Sequence, residues 1–221
     1  MQKVRGVLFD VDGTLVDSNE AHARAWVEAF AEHGIVVDLE RMRCMIGMGG
    51  DKILREIGDL SDESPQGQAI AERRRETFLQ KYLPHLRPCR GARALVQHLY
   101  DRRFELAVAS SAKAEELTPL LRIAGVEDLL RLKTSSDDAP SSKPDPDIVQ
   151  AALDRAKLRA AEAILVGDTP YDIEAGRRAG VGVIALRCGG WRDTGLRDAL
   201  AIYDDPADLL AQIDHSPLAE S

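Results

Sequence analysis

An α/β doubly wound fold interrupted by one helical insertion is the architecture this sequence predicts. Three observations predict it: short apolar runs that end in polar or small residues, helical patterns that separate those runs, and one long stretch with no strand pattern. The strongest runs are Val4–Asp10, Glu105–Ser110, Ala163–Gly167 and Val181–Leu186, with weaker ones at Leu130–Thr134 and Leu200–Tyr203. They are continuous rather than alternating, as expected of strands covered on both faces. Ala92–Leu99, Ala114–Ala124, Asp147–Lys157 and Asp172–Ala179 read as helices, and Gly125 and Gly180 follow two of them as C-caps. Strands that alternate with helices build a parallel sheet.

The alternation fails between Val16 and His85. Asn19–His33 is amphipathic, with Ala23, Trp26, Val27 and Phe30 on one face. Leu39–Met45, Asp51–Ile57 and Ile70–Tyr82 also read as helices, and Gly47-Met48-Gly49-Gly50 divides the block. Pro84 and Pro88 mark the return. The expected organisation is therefore a core of residues 1–15 and 86–221 with a helical domain of residues 16–85 inserted after the first strand. Thr134–Asp147 is polar and proline-rich and is expected to be loop.

The chain has 221 residues, 44% of them hydrophobic and 30% charged, which suits one globular unit carrying an insertion. A formal charge of −8 with mixed signs argues against nucleic acid, whose phosphates are met by clustered Lys and Arg. The three cysteines have no metal-ligand spacing and are read as reduced thiols. No signal peptide and no membrane-spanning apolar run is visible, so a cytoplasmic location is expected.

The strongest chemical signal is Phe9-Asp10-Val11-Asp12-Gly13-Thr14-Leu15-Val16-Asp17-Ser18. A buried strand ends in two carboxylates, and in an open parallel sheet ligands bind outside those strand ends. Asp10 and Asp12 repel each other unless a cation or a proton intervenes. A hard divalent ion such as Mg²⁺ accepts one or two carboxylates together with phosphate oxygens. An aspartate can then act as nucleophile in phosphoryl transfer, with a second carboxyl as general acid and base. The same residues also suit the N-terminus of the helix that begins near Asn19.

Three further strand ends carry fitting groups. Ser110 and Ser111 offer hydroxyls and free backbone N–H groups for phosphate oxygens, or a plain helix cap. Lys143, followed by Pro144 and Pro146, can present one positive charge to a phosphoryl group. Asp168 is a candidate metal ligand, and Asp172 is either a ligand or the acid that opens the next helix.

These motifs resemble the haloacid dehalogenase superfamily, in particular its phosphatases of the phosphoglycolate phosphatase and β-phosphoglucomutase group. The resemblance rests on Asp10–Ser18, Ser110, Lys143-Pro144 and Gly167–Asp172, in that order along nearly the whole chain. It implies a Rossmann-like core with a helical cap, and Mg²⁺-dependent hydrolysis of a small phosphorylated metabolite. It assigns Asp10 as nucleophile and Asp12 as general acid and base. Asp10, Asp12 through its carbonyl, Asp168 and Asp172 would serve the metal. Ser110 and Lys143 would grip the phosphoryl group, and Thr14 and Ser111 would support substrate binding. In the insertion, Arg43 and Lys52 flank the glycine loop and are candidates for the anionic end of a substrate. A phosphomutase shares the first half-reaction and remains the alternative. Dehalogenases and phosphonoacetaldehyde hydrolases of this type usually lack the second aspartate, which is present here as Asp12, and a non-catalytic binding protein would have lost carboxylates that this chain keeps.

Overall fold

The computed structural model describes residues 3–219. Six parallel strands form the central sheet: β1 (Gly6–Phe9), β4 (Glu105–Ala109), β5 (Leu132–Thr134), β6 (Ala163–Gly167), β7 (Gly182–Leu186) and β8 (Ala201–Tyr203), in the order β5-β4-β1-β6-β7-β8. This is a Rossmann-like α/β arrangement, with β1 at the centre where the strand order switches direction.

The continuous apolar runs have a direct explanation. In β1, Val7 and Phe9 enter one hydrophobic cluster while Leu8 enters the other. The same alternation holds in β4, where Leu106 and Val108 face one way and Ala107 and Ala109 the other. Helices cover both faces. α5 (Ala92–Asp101) and α6 (Ala114–Ala124) supply Leu95, Leu99, Leu117 and Leu120 to the first cluster. α7 (Asp147–Ala156) and α8 (Pro170–Ala179) supply Ile148, Leu153 and Ile173 to the second. Short helices α9 (Asp193–Leu196) and α10 (Pro206–Ala211), which the sequence pattern does not resolve, close the C-terminal part.

Residues between β1 and α5 form α1 (Asn19–Glu32), α2 (Leu39–Arg43), α3 (Gly50–Gly58) and α4 (Pro65–Thr77). These four helices bury a third cluster of their own, including Trp26, Phe30, Met42, Ile53, Leu54 and Ile70. Two readings need correction. The stretch expected to hold no strand contains β2 (Val16–Asp17), which pairs antiparallel with β3 (Arg87–Pro88) where the chain leaves and re-enters the core. A two-residue strand has no periodicity to detect. The last helix of the block starts at Pro65, capped by the Ser64 hydroxyl, and ends in a π turn at Phe78–Tyr82, rather than running from Ile70. Its first turns carry few apolar residues, so periodicity reveals only its second half. No helix among the described residues is long and apolar enough to cross a membrane.

Phe30 is fully buried in the third cluster and stacks with Trp26 at 5.6 Å between centroids. Phe30→Ala is expected to destabilise the protein by about 3–5 kcal/mol, measured by denaturant unfolding.

Candidate active site

The carboxyl ends of β1, β4 and β6 meet at one place, and three aspartates converge there. One oxygen from each of Asp10, Asp168 and Asp172 lies within 4.8 Å of the others, and all three residues are buried. Asp10 follows β1 directly, Asp168 follows β6, and Asp172 lies in the first turn of α8. The buried ammonium of Lys143 sits between two of them, 2.6 Å from Asp10 Oδ1 and 2.7 Å from Asp172 Oδ1.

Each carboxylate is oriented by neighbours. Asp168 accepts from the Thr14 hydroxyl at 3.0 Å and from Asn19 Nδ2 at 2.8 Å. Asp172 does both jobs that the sequence leaves open. Its Oδ2 accepts from the Thr169 hydroxyl at 2.6 Å and the Thr169 N–H at 3.0 Å, a capping box for α8, while its Oδ1 meets Lys143. Gly13 makes the turn at φ +72°, and a Cβ there would lie 2.2 Å from Asp168 Oδ2. Backbone conformation and close approach both require glycine at this position.

Asp12 stands apart from the triad, at the edge of a cleft of about 660 Å³ between the strand ends and the helical block. It accepts from the Ser18 hydroxyl at 2.5 Å and contacts His22 Nε2 at 2.8 Å. Arg74 Nη2 lies 2.8 Å from His22 Nδ1. An arginine can only donate, so Nδ1 accepts and Nε2 carries the proton offered to Asp12. The result is a directed chain Arg74→His22→Asp12 linking α4, α1 and the end of β1.

The electrostatics separate the two motif aspartates. Burial pushes the Asp10 carboxyl up to about 7; Lys143 opposes this, and Asp172 and Asp12 add to it. Burial, then Asp172 and Asp10, hold Asp168 well above the usual carboxylate range. Asp12 goes the other way: burial works against its ionisation, but the His22 ring beside it, with Ser18 and Arg74, holds it below the usual range. Burial tends to lower Lys143, yet Asp10 and Asp172 outweigh it and raise the ammonium, so it stays charged. A buried carboxylate trio with a single cation is electrostatically incomplete, and all its donors are hard oxygens. That set fits a divalent metal held by Asp10, Asp168 and Asp172.

Other expected residues are placed as follows. Ser111 lines the cleft. Ser110 is fully buried at the end of β4, and its hydroxyl accepts from the Ala112 N–H at 3.1 Å. Thr14 is committed to Asp168 and fully buried, so it does not face the cleft. The structure does not bring Arg43 or Lys52 to the cleft wall either. Arg43 pairs with Glu20 and Glu40, and Lys52 with Asp145 at 2.6 Å. Asn19, His22, Arg74 and Glu116 are site residues that the sequence reading misses. A signal exists for one: His22 lies four residues after Ser18, the N-cap of α1, and both turn back toward Asp12.

A family model described as haloacid dehalogenase-like hydrolase matches residues 7–186. The chain belongs to that family. Among this hydrolase's relatives, the phosphoglycolate phosphatase of Pseudomonas syringae pv. tomato is 30% identical over 190 residues, covering 83% of this chain and 69% of the relative. The N-acetylmuramic acid 6-phosphate phosphatase of Pseudomonas aeruginosa is 28% identical over 192 residues, 85% of this chain and 83% of the relative. The crystal structure of a hydrolase from Pseudomonas syringae superposes with a TM-score of 0.89 at 28% identity, covering 97% of this chain and 99% of that one.

A divalent ion competes with protons for these carboxylates. Because the Asp10 pKa rises on folding, its protonated form contributes stability that is complete below about 4 and lost as the pH rises through about 7. At pH 8, MgCl₂ at roughly 100-fold excess over its Kd is expected to raise Tm by about 5–10 °C. The gain should shrink as the pH falls below about 7, and Asp168→Ala should remove it; scanning calorimetry reads both.

Proposed function

We propose that this hydrolase cleaves the phosphate monoester of a small metabolite with Mg²⁺, through a phosphoryl group carried transiently on Asp10. The observation that carries this reading is the convergence of Asp10, Asp168, Asp172 and Lys143 at one strand edge, facing a cleft that also holds Asp12. The phosphatase names of the relatives support it.

Lys143 fixes the Asp10 carboxylate by holding one of its oxygens, and supplies positive charge where the transferring phosphoryl group gathers negative charge. Mg²⁺, when bound, offsets the carboxylate charges and polarises a phosphoryl oxygen. Asp10 attacks phosphorus, the ester P–O bond breaks, and the departing oxygen takes a proton from Asp12. Asp12 then removes a proton from water, the water oxygen attacks the same phosphorus, and the bond to Asp10 breaks to release inorganic phosphate. The Arg74→His22 chain holds the Asp12 carboxyl at the cleft wall, where it can exchange protons with the departing oxygen and with water. Ser111 and the backbone N–H groups near the start of α6 receive the remaining phosphoryl oxygens.

Residues 16–85 act as a cap in this reading. The glycine loop lies against the core: a Cβ on Gly47, at φ +105°, would come within 2.7 Å of Thr169. Closing that loop over the strand ends excludes water during transfer.

Asp10→Asn keeps the shape of the side chain but not its nucleophilicity. Mg²⁺-dependent release of phosphate from 4-nitrophenyl phosphate is expected to fall at least a hundredfold, about 2.7 kcal/mol of barrier, with the circular dichroism spectrum retained. Residual activity above about a hundredth of wild type would remove Asp10 from this role. His22→Ala takes away the main group lowering Asp12, so the limb of the pH–rate profile that reports Asp12 should move to higher pH. An unmoved limb with lowered kcat would leave His22 with a packing role only.

A further inference from the structure

We infer that the substrate's leaving group is uncharged and hydroxyl-rich, a sugar or polyol, and that the cleft disfavours a second anionic group such as the carboxylate of phosphoglycolate. This rests on the phosphatase reading and specifies its substrate class.

The argument begins with the cations. A carboxylate or a second phosphate needs a positive partner away from the reacting centre. The cleft wall beyond Asp10 and Asp12 carries Arg74, Arg75 and Lys113. Arg74 is already paired with Glu116 and hydrogen-bonded to His22. Arg75 is paired with Glu72 and with Glu115, the latter at 3.0 Å, and Lys113, the one wall cation outside an ion pair among the described residues, is solvent-exposed and its charge already acts on Glu72. Arg43 and Lys52 are paired elsewhere and do not reach the wall.

The carboxylates of the same wall are Asp51, Asp62, Glu72, Glu116 and Asp137. They outnumber its cations, so an anionic leaving group would enter a field of its own sign. A hydroxyl meets the opposite situation, because each carboxylate accepts its proton.

The Arg74–Glu116 pair adds an independent observation. Glu116 is 1% exposed, and its Oε2 has no hydrogen-bond partner; Arg74 Nε is likewise buried and unpartnered. An unmatched acceptor and an unmatched donor therefore belong to one ion pair on the cleft wall. A hydroxyl both donates and accepts and can match either atom, whereas a carboxylate offers only acceptors and leaves Glu116 Oε2 unmatched. Sites that hydrogen-bond a substrate hydroxyl discriminate strongly, because their own polar groups go unpaired with the wrong ligand. Aliphatic side chains at Ile46, Met48, Ile53 and Leu54 complete the wall and suit the C–H faces of a carbohydrate. A cleft of about 660 Å³ also exceeds what a two-carbon acid requires.

The test uses matched esters that differ only in CH₂OH against COO⁻: sorbitol 6-phosphate against 6-phosphogluconate, and glycerol 3-phosphate against 3-phosphoglycerate. The full-length protein with MgCl₂ is first assayed on 4-nitrophenyl phosphate. Failure there overturns the phosphatase reading itself. Given activity there, kcat/KM for the hydroxyl member is expected to exceed that of the carboxylate member at least tenfold. Equal or reversed values, or no turnover of either hydroxyl ester, would overturn the inference and leave the phosphatase reading standing. Asp62→Lys replaces an exposed acid of the wall with a cation and should narrow the ratio at least threefold. An unchanged ratio would show that the field of the wall does not select.

Discussion

The buried ammonium of Lys143 between Asp10 and Asp172 is the interaction on which the rest of this structure depends. Three carboxylates with almost no access to solvent repel one another, and this ammonium is the charge that offsets the repulsion. Even with it, Asp10 and Asp168 hold their protons more tightly than ordinary carboxyls. The fold tolerates this electrostatic strain because β1 and β6 deliver the aspartates from a sheet closed on both faces by large apolar clusters. Rigid strand ends fix positions that loops alone would let relax. In the proposed reaction a divalent cation would relieve this strain.

The chemistry divides between two surfaces. The strand ends collect the groups to which the proposed reaction assigns the chemistry at phosphorus, while the helical block contributes the His22 and Arg74 side chains that orient Asp12. Asp10 and Asp12 are two residues apart in sequence, yet their environments push their pKa values in opposite directions. That divergence comes from surroundings rather than from sequence position: burial with Asp172 and Asp12 acts on Asp10, and the His22 ring with Ser18 and Arg74 acts on Asp12.

Legibility in the sequence follows the range of the interactions involved. The six strands of the sheet were visible because each is a local apolar run, and Asp10, Asp168 and Lys143 were visible because each follows such a run or a stiff Pro-rich turn. Asp172 was legible but ambiguous, and the ambiguity was real: one of its oxygens caps α8 and the other meets Lys143. Arg43 and Lys52 read as candidates for the anionic end of a substrate because their long-range partners, Glu20 and Asp145, lie on other segments. Arg74 is invisible in the sequence for the converse reason. Its contact with His22 spans 52 residues, and no local pattern in α4 marks it as part of a site. Motifs report what a short segment can do, whereas charge pairing across the chain decides what remains available to a ligand.

The contacts that join the helical block to the core bear on that last point. Ser142 donates to Asp51, and Lys52 donates to Asp145 at 2.6 Å, so both sides of the Lys143 segment are held by the first turn of α3. Tyr171 adds a hydrogen bond from its hydroxyl to the Cys44 carbonyl at 2.6 Å. The Lys52–Asp145 pair is partly exposed, and pairs of that kind contribute only about 0–1 kcal/mol each. A handful of such contacts can hold two parts together without locking them, which suits the cap role proposed for the block. Their location gives them a second consequence. Ser142 and Asp145 flank the lysine that meets Asp10, so the docking of the block and the position of the Asp10 carboxylate are stabilised by the same set of contacts.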